Sequence, residues 1–336
     1  MGVDGFRLDA VKHIYHNETG PENKAFWKAF YNACNTVYKA NASKRTGLKG
    51  IVDENIFMVG EVLSGDGDCT PFYEGLPALF EFQFFWDLRN CLNSENIFQA
   101  GYGQNFPGSL SYRWNNHRGV RGDAISTPKL ANHDEDRTAS QLGNYKPKIR
   151  LAAAVLLTSA GRPYIYQGEE LGYWGTKAGG DEYVRTPILW TTSQSSAASK
   201  GVSNKVDWNM LQPSISVESQ EKDEASLLSL YRHFAYARSV NKALADGWPE
   251  ADERTMGGYD GRVAGWYLHA NDGSDKVVLV MHNFSSSSTT VTRWPGENAT
   301  QESILISNGK VTVSGNVADG TSVTLPGYSS VVFALN

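Results

Sequence analysis

The chain opens on an alternating run. Across VDGFRLDA, residues 3–10, successive side chains fall on opposite faces of a short predicted strand. Val3, Gly5, Arg7 and Asp9 share one face, and Phe6 and Leu8 share the other. The period then lengthens. After Pro21, Phe26, Phe30, Ala33 and Val37 recur at helical spacing through PENKAFWKAFYNACNTVYKA. Short apolar runs at IFMVGEV, ALFEFQFFW, AISTPKLANHD and RPYIYQGEELG predict four further strands, ALFEFQFFW leading into a polar Gly- and Asn-rich stretch. KIRLAAAVLLTSA predicts a helix stopped by Gly161 and Pro163, and ASLLSLYRHFAYARSVNKAL predicts another. A Gly/Ser/Thr-rich loop runs between them from about 172 to 222. Strands alternating with helices imply βα units and a parallel sheet.

The texture changes near the end. From about residue 258, the runs VAGWYLHA, KVVLVMHNF, TTVTRW, SILIS, SVTLPG and SSVVFALN are separated by Gly, Asn, Asp and Ser, with no helical period. That pattern predicts an antiparallel β-sandwich. SSSSTT at 285–290 reads as a loop or strand edge. The expected organisation is a βα portion over 1–245 and an all-β domain over 246–336.

Composition narrows the partners. The 336 residues are 40% hydrophobic and 12% aromatic, enough for a real core. Sixteen Tyr and nine Trp either fill that core or offer flat faces to sugar rings. A formal charge of −5, with no Lys/Arg-rich run, argues against nucleic acid. Cys34, Cys69 and Cys91 have neither metal-ligand spacing nor an even-numbered disulfide pattern. No stretch reaches the roughly 18 apolar residues of a membrane span, and no targeting segment is visible.

Three predicted strands end in a carboxylate: GFRLD at Asp9, MVGE at Glu61 and KLANHD at Asp134. One such acid is an ordinary helix cap. Three together, one beside Arg7 and one beside Asn132 and His133, suit the mouth of a parallel barrel, where catalytic groups collect. Paired carboxylates are the equipment of glycoside hydrolysis. Arg7 would keep Asp9 ionised as nucleophile, while Glu61, with no cation adjacent in sequence, suits a proton-holding acid. Asp134 would bind sugar hydroxyls and help distort the ring.

GVDGFRLDAVKH, GEV, KLANHD and GRPYIYQGEELG together resemble the signature regions of the α-amylase family of glycoside hydrolases, in the family's order. The resemblance implies a (β/α)8 barrel and retaining chemistry on α-glucosidic bonds. It implies Asp9 as nucleophile, Glu61 as acid/base and Asp134 as the third, stabilising carboxylate. Arg7 matches the arginine beside the nucleophile, and His133 the histidine on the sugar at the cleavage site. Lys12 and His13 match a pair lining the leaving-group side, which favours internal α-1,4 cleavage of starch and malto-oligosaccharides. Wording such as KHIYHNET, GLPALFEF and GGDEYVRTPILW is similar to surface amylases of bacterial starch-utilisation systems, which implies a secreted or cell-surface location.

Asp181 and Arg185 lie on the long loop, a frequent place for substrate contacts. Arg137 reads as structural, paired with Asp136 or a neighbouring acid. Trp174 and Tyr166 offer either core packing or a stack for glucose, and His16 and His117 read as surface histidines. In the family GFRLD is the fourth barrel strand, so the expected fold is a partial barrel of strands four to eight plus the sandwich, with Met1 internal to a longer protein. Calcium is implied by the resemblance, with only the backbone carbonyl of His13 remaining of its site. The rival expectations are a neopullulanase or cyclomaltodextrinase specificity and a non-catalytic α-glucan-binding fragment.

Overall fold

The computed structural model describes residues 3–45, 55–101, 103–193, 213–256 and 261–335. Residues 194–212 of the predicted 172–222 loop therefore lie outside the described residues. The chain divides into two compact units, Met1–Gln83 with Tyr112–Pro128, and Phe84–Ser111 with Lys129–Asn336.

The first unit is built on four parallel strands, in the order β1 (Gly5–Leu8), β2 (Phe57–Gly60), β3 (Ala78–Glu81) and β4 (Ile125–Pro128). Gly5 pairs with Phe57 and Leu8 with Gly60, so β1 and β2 end level with each other. Helix α1 (Pro21–Ala40) starts at a proline whose missing N–H costs nothing in a first turn. Its Trp27 and Tyr31 pack with Val11, Met58, Phe72, Leu76 and Leu79. Two buried polar contacts fix the entry to this helix: Trp27 Nε1 donates to the Val11 carbonyl at 2.7 Å, and Asn23 Nδ2 donates to the carbonyls of Lys12 and Asn17. Gly75 lets the segment after α2 (Asp66–Cys69) approach α1, where a Cβ would lie 2.8 Å from the Lys24 carbonyl oxygen.

The run ALFEFQFFW divides instead of extending. Its first half is β3, and α3 (Phe82–Ser94) begins at once. Phe84, Phe85 and Leu88 share one helical face, a spacing that overrides the strand propensity of the phenylalanines. The polar stretch that followed is also a helix in large part, α4 (Phe106–Val120).

The second unit holds α5 (Thr138–Gln141), α6 (Lys146–Thr158), α7 (Val217–Glu221), α8 (Leu227–Val240), α9 (Lys242–Asp246) and α10 (Glu253–Met256). Residues 151–158 of α6 are buried on every side, as its nearly unbroken apolar run requires. The predicted last helix is two, because Asn241 leaves helical geometry and its Oδ1 accepts from Leu244 N to cap α9. RPYIYQGEELG contributes only an isolated parallel bridge, Lys129 to Tyr164, before a turn. That turn needs Gly168, at φ +82°, where a Cβ would sit 2.6 Å from the Tyr173 ring.

A five-stranded antiparallel sheet runs β5-β6-β7-β12-β9 and a three-stranded one β10-β11-β8. The strands are β5 (Trp248–Ala251), β6 (Val263–His269), β7 (Val277–Asn283), β8 (Thr289–Thr292), β9 (Ile304–Asn308), β10 (Thr312–Asn316), β11 (Gly320–Leu325) and β12 (Ser330–Ala334). Leu279, Met281, Val331 and Phe333 meet Val291, Val323 and Leu325 of the smaller sheet, as expected of a sandwich. The opposite face, through Trp266, Val278, Val280 and Val332, packs with Leu151, Val155 and Leu156 of α6. A sheet covered on both faces explains the uninterrupted apolar run of β7. WPEA and TVSGN, which carry no strand signal, pair through neighbours that do.

Candidate active site

In the first unit the site is an extension of the β1–β2 ladder. Glu61 N donates to the Leu8 carbonyl at 2.9 Å, and Val11 N donates to the Glu61 carbonyl at 3.0 Å. Asp9 and Glu61 are thereby held one residue beyond the ends of adjacent strands. Between them Ala10 takes a left-handed conformation, φ 44° and ψ 48°. Its N–H then donates to Glu61 Oε2 at 3.3 Å. An alanine in that region costs about 1 kcal/mol or more, the kind of strain that clusters at functional sites.

Arg7 joins the two acids. Its Nη1 pairs with Asp9, and its Nη2 lies 3.0 Å from Glu61 Oε1. The Asp9 side chain is 77% exposed, whereas that of Glu61 is 11% exposed. Sequence adjacency placed a cation beside Asp9 alone. The structure corrects this, because parallel pairing sets Arg7 opposite Val59, two residues before Glu61.

Lys12 and His13 lie in the 3-10 turn Val11–His13 that follows. Both face Glu18, with Lys12 Nζ at 2.9 Å and His13 Nδ1 at 3.4 Å. The hydrogen bond from Lys12 holds the Glu18 carboxyl below its ordinary range. Glu18 was not singled out in the sequence, since it is one of many exposed acids in a turn.

Asp134 belongs to the second unit. Asn132 Oδ1 accepts from its backbone N–H at 2.8 Å, a local turn that sets the side chain. His133 Nε2 is 3.0 Å from Oδ2, while Arg185 Nη2 at 2.8 Å and Lys177 Nζ at 3.3 Å share Oδ1. Both cations also reach Asp181, at 2.8 Å from Arg185 and 3.3 Å from Lys177. Arg185 Nε adds a bond to the His133 carbonyl at 3.0 Å. Partial burial acts to raise the Asp134 pKa, but His133, Arg185 and Lys177 outweigh it and hold the carboxyl below its ordinary value.

The expected residues thus gather as Arg7, Asp9 and Glu61, as Lys12 with His13, and as His133, Asp134, Asp181 and Arg185. Lys177 was missed. Its signal was the four-residue spacing Lys177, Asp181, Arg185, which puts alternating charges within reach of one another.

The remaining expectations divide. Arg137 is buried, donates to the Gln167 carbonyl at 2.6 Å and stacks over Tyr166, a structural role. Asp136 instead accepts from Lys177 N at 2.6 Å. One ring face of Tyr166 is thus covered, and Trp174 packs against the core. His16 is exposed, as expected. His117 is not a surface histidine: it is 1% exposed, packed at a 30° tilt against the Tyr73 ring and 3.6 Å from Glu81. Burial drives its pKa down to about 3, so the ring is neutral.

Calcium requires six to eight oxygens. Among the described residues no group of three or more His, Cys, Asp or Glu could hold a metal ion. The resemblance offers only the His13 carbonyl, one oxygen of that number, so the described residues do not fit a complete calcium site.

Comparisons with known proteins bear on the family. The alpha amylase catalytic domain matches residues 1–247, and the alpha-amylase SusG C-terminal domain matches 270–332. Alpha-amylase SusG of Bacteroides thetaiotaomicron is 40% identical over 341 residues, 99% of this chain and 45% of that protein. Alpha-amylase 3 of Dictyoglomus thermophilum is 28% identical, over 98% of this chain and 58% of its own. The chain spans about half the length of these curated relatives. A crystal structure of an alpha-amylase from H. orenii superposes with a TM-score of 0.77 at 24% identity, over 100% of this chain and 61% of that one. The parallel sheet with its helices is part of a (β/α)8 barrel, and an antiparallel β domain follows it. With a catalytic-domain match over residues 1–247 and a C-terminal-domain match over 270–332, the chain belongs to the alpha-amylase family of glycoside hydrolases.

Proposed function

We propose that the protein is an α-amylase that cleaves internal α-1,4-glucosidic bonds of starch and malto-oligosaccharides with retention of anomeric configuration. The observation that carries this reading is the Arg7 guanidinium, shared by two carboxylates at adjacent strand ends. Retaining enzymes hold their two carboxyl groups about 5–5.5 Å apart, flanking one bond.

In this reading Asp9, the exposed acid, attacks the anomeric carbon. The bond to the leaving oxygen breaks as that oxygen takes the proton of Glu61. Glu61, now a carboxylate, removes a proton from water, whose oxygen displaces Asp9 from the same carbon. The nearly buried position of Glu61 suits proton transfer, and Ala10 N–H with Arg7 fixes where its oxygens sit. Asp134, kept ionised by its cations, accepts hydrogen bonds from the sugar hydroxyls, with His133 beside it. Lys12 and His13 serve the leaving-group side, and Asp181 with Arg185 binds further along the glucan. No described helix is long and apolar enough to cross a membrane, and we assign the enzyme to the cell surface or the medium on the strength of the resemblance.

The test is the configuration of the first product. Maltoheptaose hydrolysis followed by proton NMR should release the α-anomer before mutarotation. Initial release of the β-anomer would overturn the retaining assignment.

A further inference from the structure

Between β1 and α1 the chain folds back on itself, and one side chain in the first turn of α1 holds the fold-back together. Asn23 is fully buried. Its Nδ2 lies 2.9 Å from the carbonyl oxygens of Lys12 and Asn17 and 3.3 Å from that of Glu18. Its Oδ1 accepts from Tyr15 N at 3.0 Å. Lys12 and Glu18, six residues apart, are thus tied to the same amide. The return of Glu18 toward Lys12 and His13 is set by backbone, before any ion pair forms.

The Glu18 carboxylate divides between the two. Its Oε2 is 2.9 Å from Lys12 Nζ, and its Oε1 is 3.4 Å from His13 Nδ1. An ion pair this exposed adds little to folding. Its effect is to fix two side chains that would otherwise sample many rotamers. The contact also fixes a proton. An ionised carboxylate has no hydrogen to give, so a neutral His13 ring that meets it carries its proton on Nδ1. Nε2 is then an acceptor, while the Lys12 ammonium keeps further N–H groups to donate. A donor beside an acceptor matches hydroxyl groups, each of which both gives and takes a hydrogen bond.

We propose that Glu18 is a positioning residue, which holds Lys12 as donor and His13 as acceptor for the hydroxyls of the leaving-group sugar. This rests on the reading of Lys12 and His13 as serving the leaving-group side. Glu18 acts only through them.

The test is Glu18→Gln in the full protein, which keeps the shape, removes the charge and offers the ring an amide N–H. The first readout needs no substrate. Nitrogen-15 NMR of the neutral His13 ring at pH 8 should find the proton on Nδ1 in the parent and on Nε2 in the variant. The same tautomer in both overturns the proposal. The second readout is kinetic. For maltoheptaose, kcat/KM should fall roughly tenfold, mostly through KM, the size expected for losing a hydrogen bond to a charged group. For an aryl maltoside, which puts no sugar on the leaving-group side, the change should stay below about twofold. Equal falls on both substrates, or no fall on either, overturn the proposal. In a Lys12→Ala, His13→Ala background, Glu18→Gln should cost nothing further, and a second loss of the same size would mean that Glu18 acts by another route. The thermal midpoint should not move, since the Glu18 side chain is about half-exposed. Failure of the α-amylase reading looks different: the parent would then fail on maltoheptaose while the two tautomers still differ.

Discussion

The two groups of acids are held in different ways. Asp9 and Glu61 take their positions from backbone: consecutive parallel strands end level, the ladder continues through Leu8 and Val11, and one guanidinium joins the side chains. Asp134 takes its position from side chains on a loop, where Lys177 and Arg185 are each 42% exposed and are shared with Asp181. Backbone register is indifferent to salt and to single exposed substitutions. A web of exposed ion pairs is screened by salt and individually weak. In the proposed mechanism, the group that changes bonds sits on the rigid support, and the group that binds hydroxyls sits on the adjustable one.

Four experiments press on that contrast. The largest effect belongs to Asp9→Asn, which should lower turnover of starch by at least roughly 10⁴-fold without moving the thermal midpoint, because the ladder survives. A large stability loss would mean that the carboxylate, and not the backbone, sets the strand end. Next comes Glu61→Gln. Turnover of polysaccharide should fall by about 10²–10⁴-fold, and turnover of an aryl maltoside with a good leaving group should fall much less. Equal losses on both would remove the acid/base role.

The third experiment asks whether the rigid support depends on pH. Glu81 ends β3, is 5% exposed, and burial raises its pKa to about 7 despite Arg113 nearby. The fold thus favours the protonated form. Its contribution to stability is complete below the unfolded value of about 4.5 and is lost as pH rises through about 7. Glu81→Gln should therefore stabilise the protein at pH 8, by up to about 3 kcal/mol, and change little at pH 4. Urea midpoints at the two pH values measure this, and a gain of equal size at both would contradict it. The smallest effect is expected on the loop. Lys177→Gln should raise KM for maltoheptaose up to about tenfold, with a smaller change in kcat, and 1 M salt should erase most of the difference from the parent. A salt-independent defect would place Lys177 in a more rigid role.

What was readable in the sequence follows the same line. The strand at GFRLD and helix α1 were legible because each carries one period over its whole length, and the buried helix α6 because its apolar run is too long for a strand and stops at Gly161 and Pro163. ALFEFQFFW was misread because phenylalanine suits a strand or a buried helix face equally, and only tertiary packing with Phe106 and Trp266 selects the helix. Asp9 and Glu61 were legible as strand-end carboxylates, whereas Asp134, expected at the end of a strand through KLANHD, stands on a loop six residues beyond the end of β4. The cation at Glu61 was not legible, since it arrives across the sheet from a residue 54 positions earlier. His117 was misjudged for the same reason, because Tyr73 and Glu81 reach it from other elements.

The left-handed backbone at Ala10 sets a trade-off for anyone improving this protein. Ala10→Gly would relieve the conformational cost in the folded chain but enlarge the freedom of the unfolded one, so its net gain in stability is small. It would also loosen the N–H that meets Glu61. A β-branched residue there would raise the cost further. Libraries screened for heat resistance will therefore tend to leave position 10 alone, and those that accept glycine should show slower turnover. Robustness is better sought on the exposed faces of the helices, away from the one residue whose discomfort aims the acid.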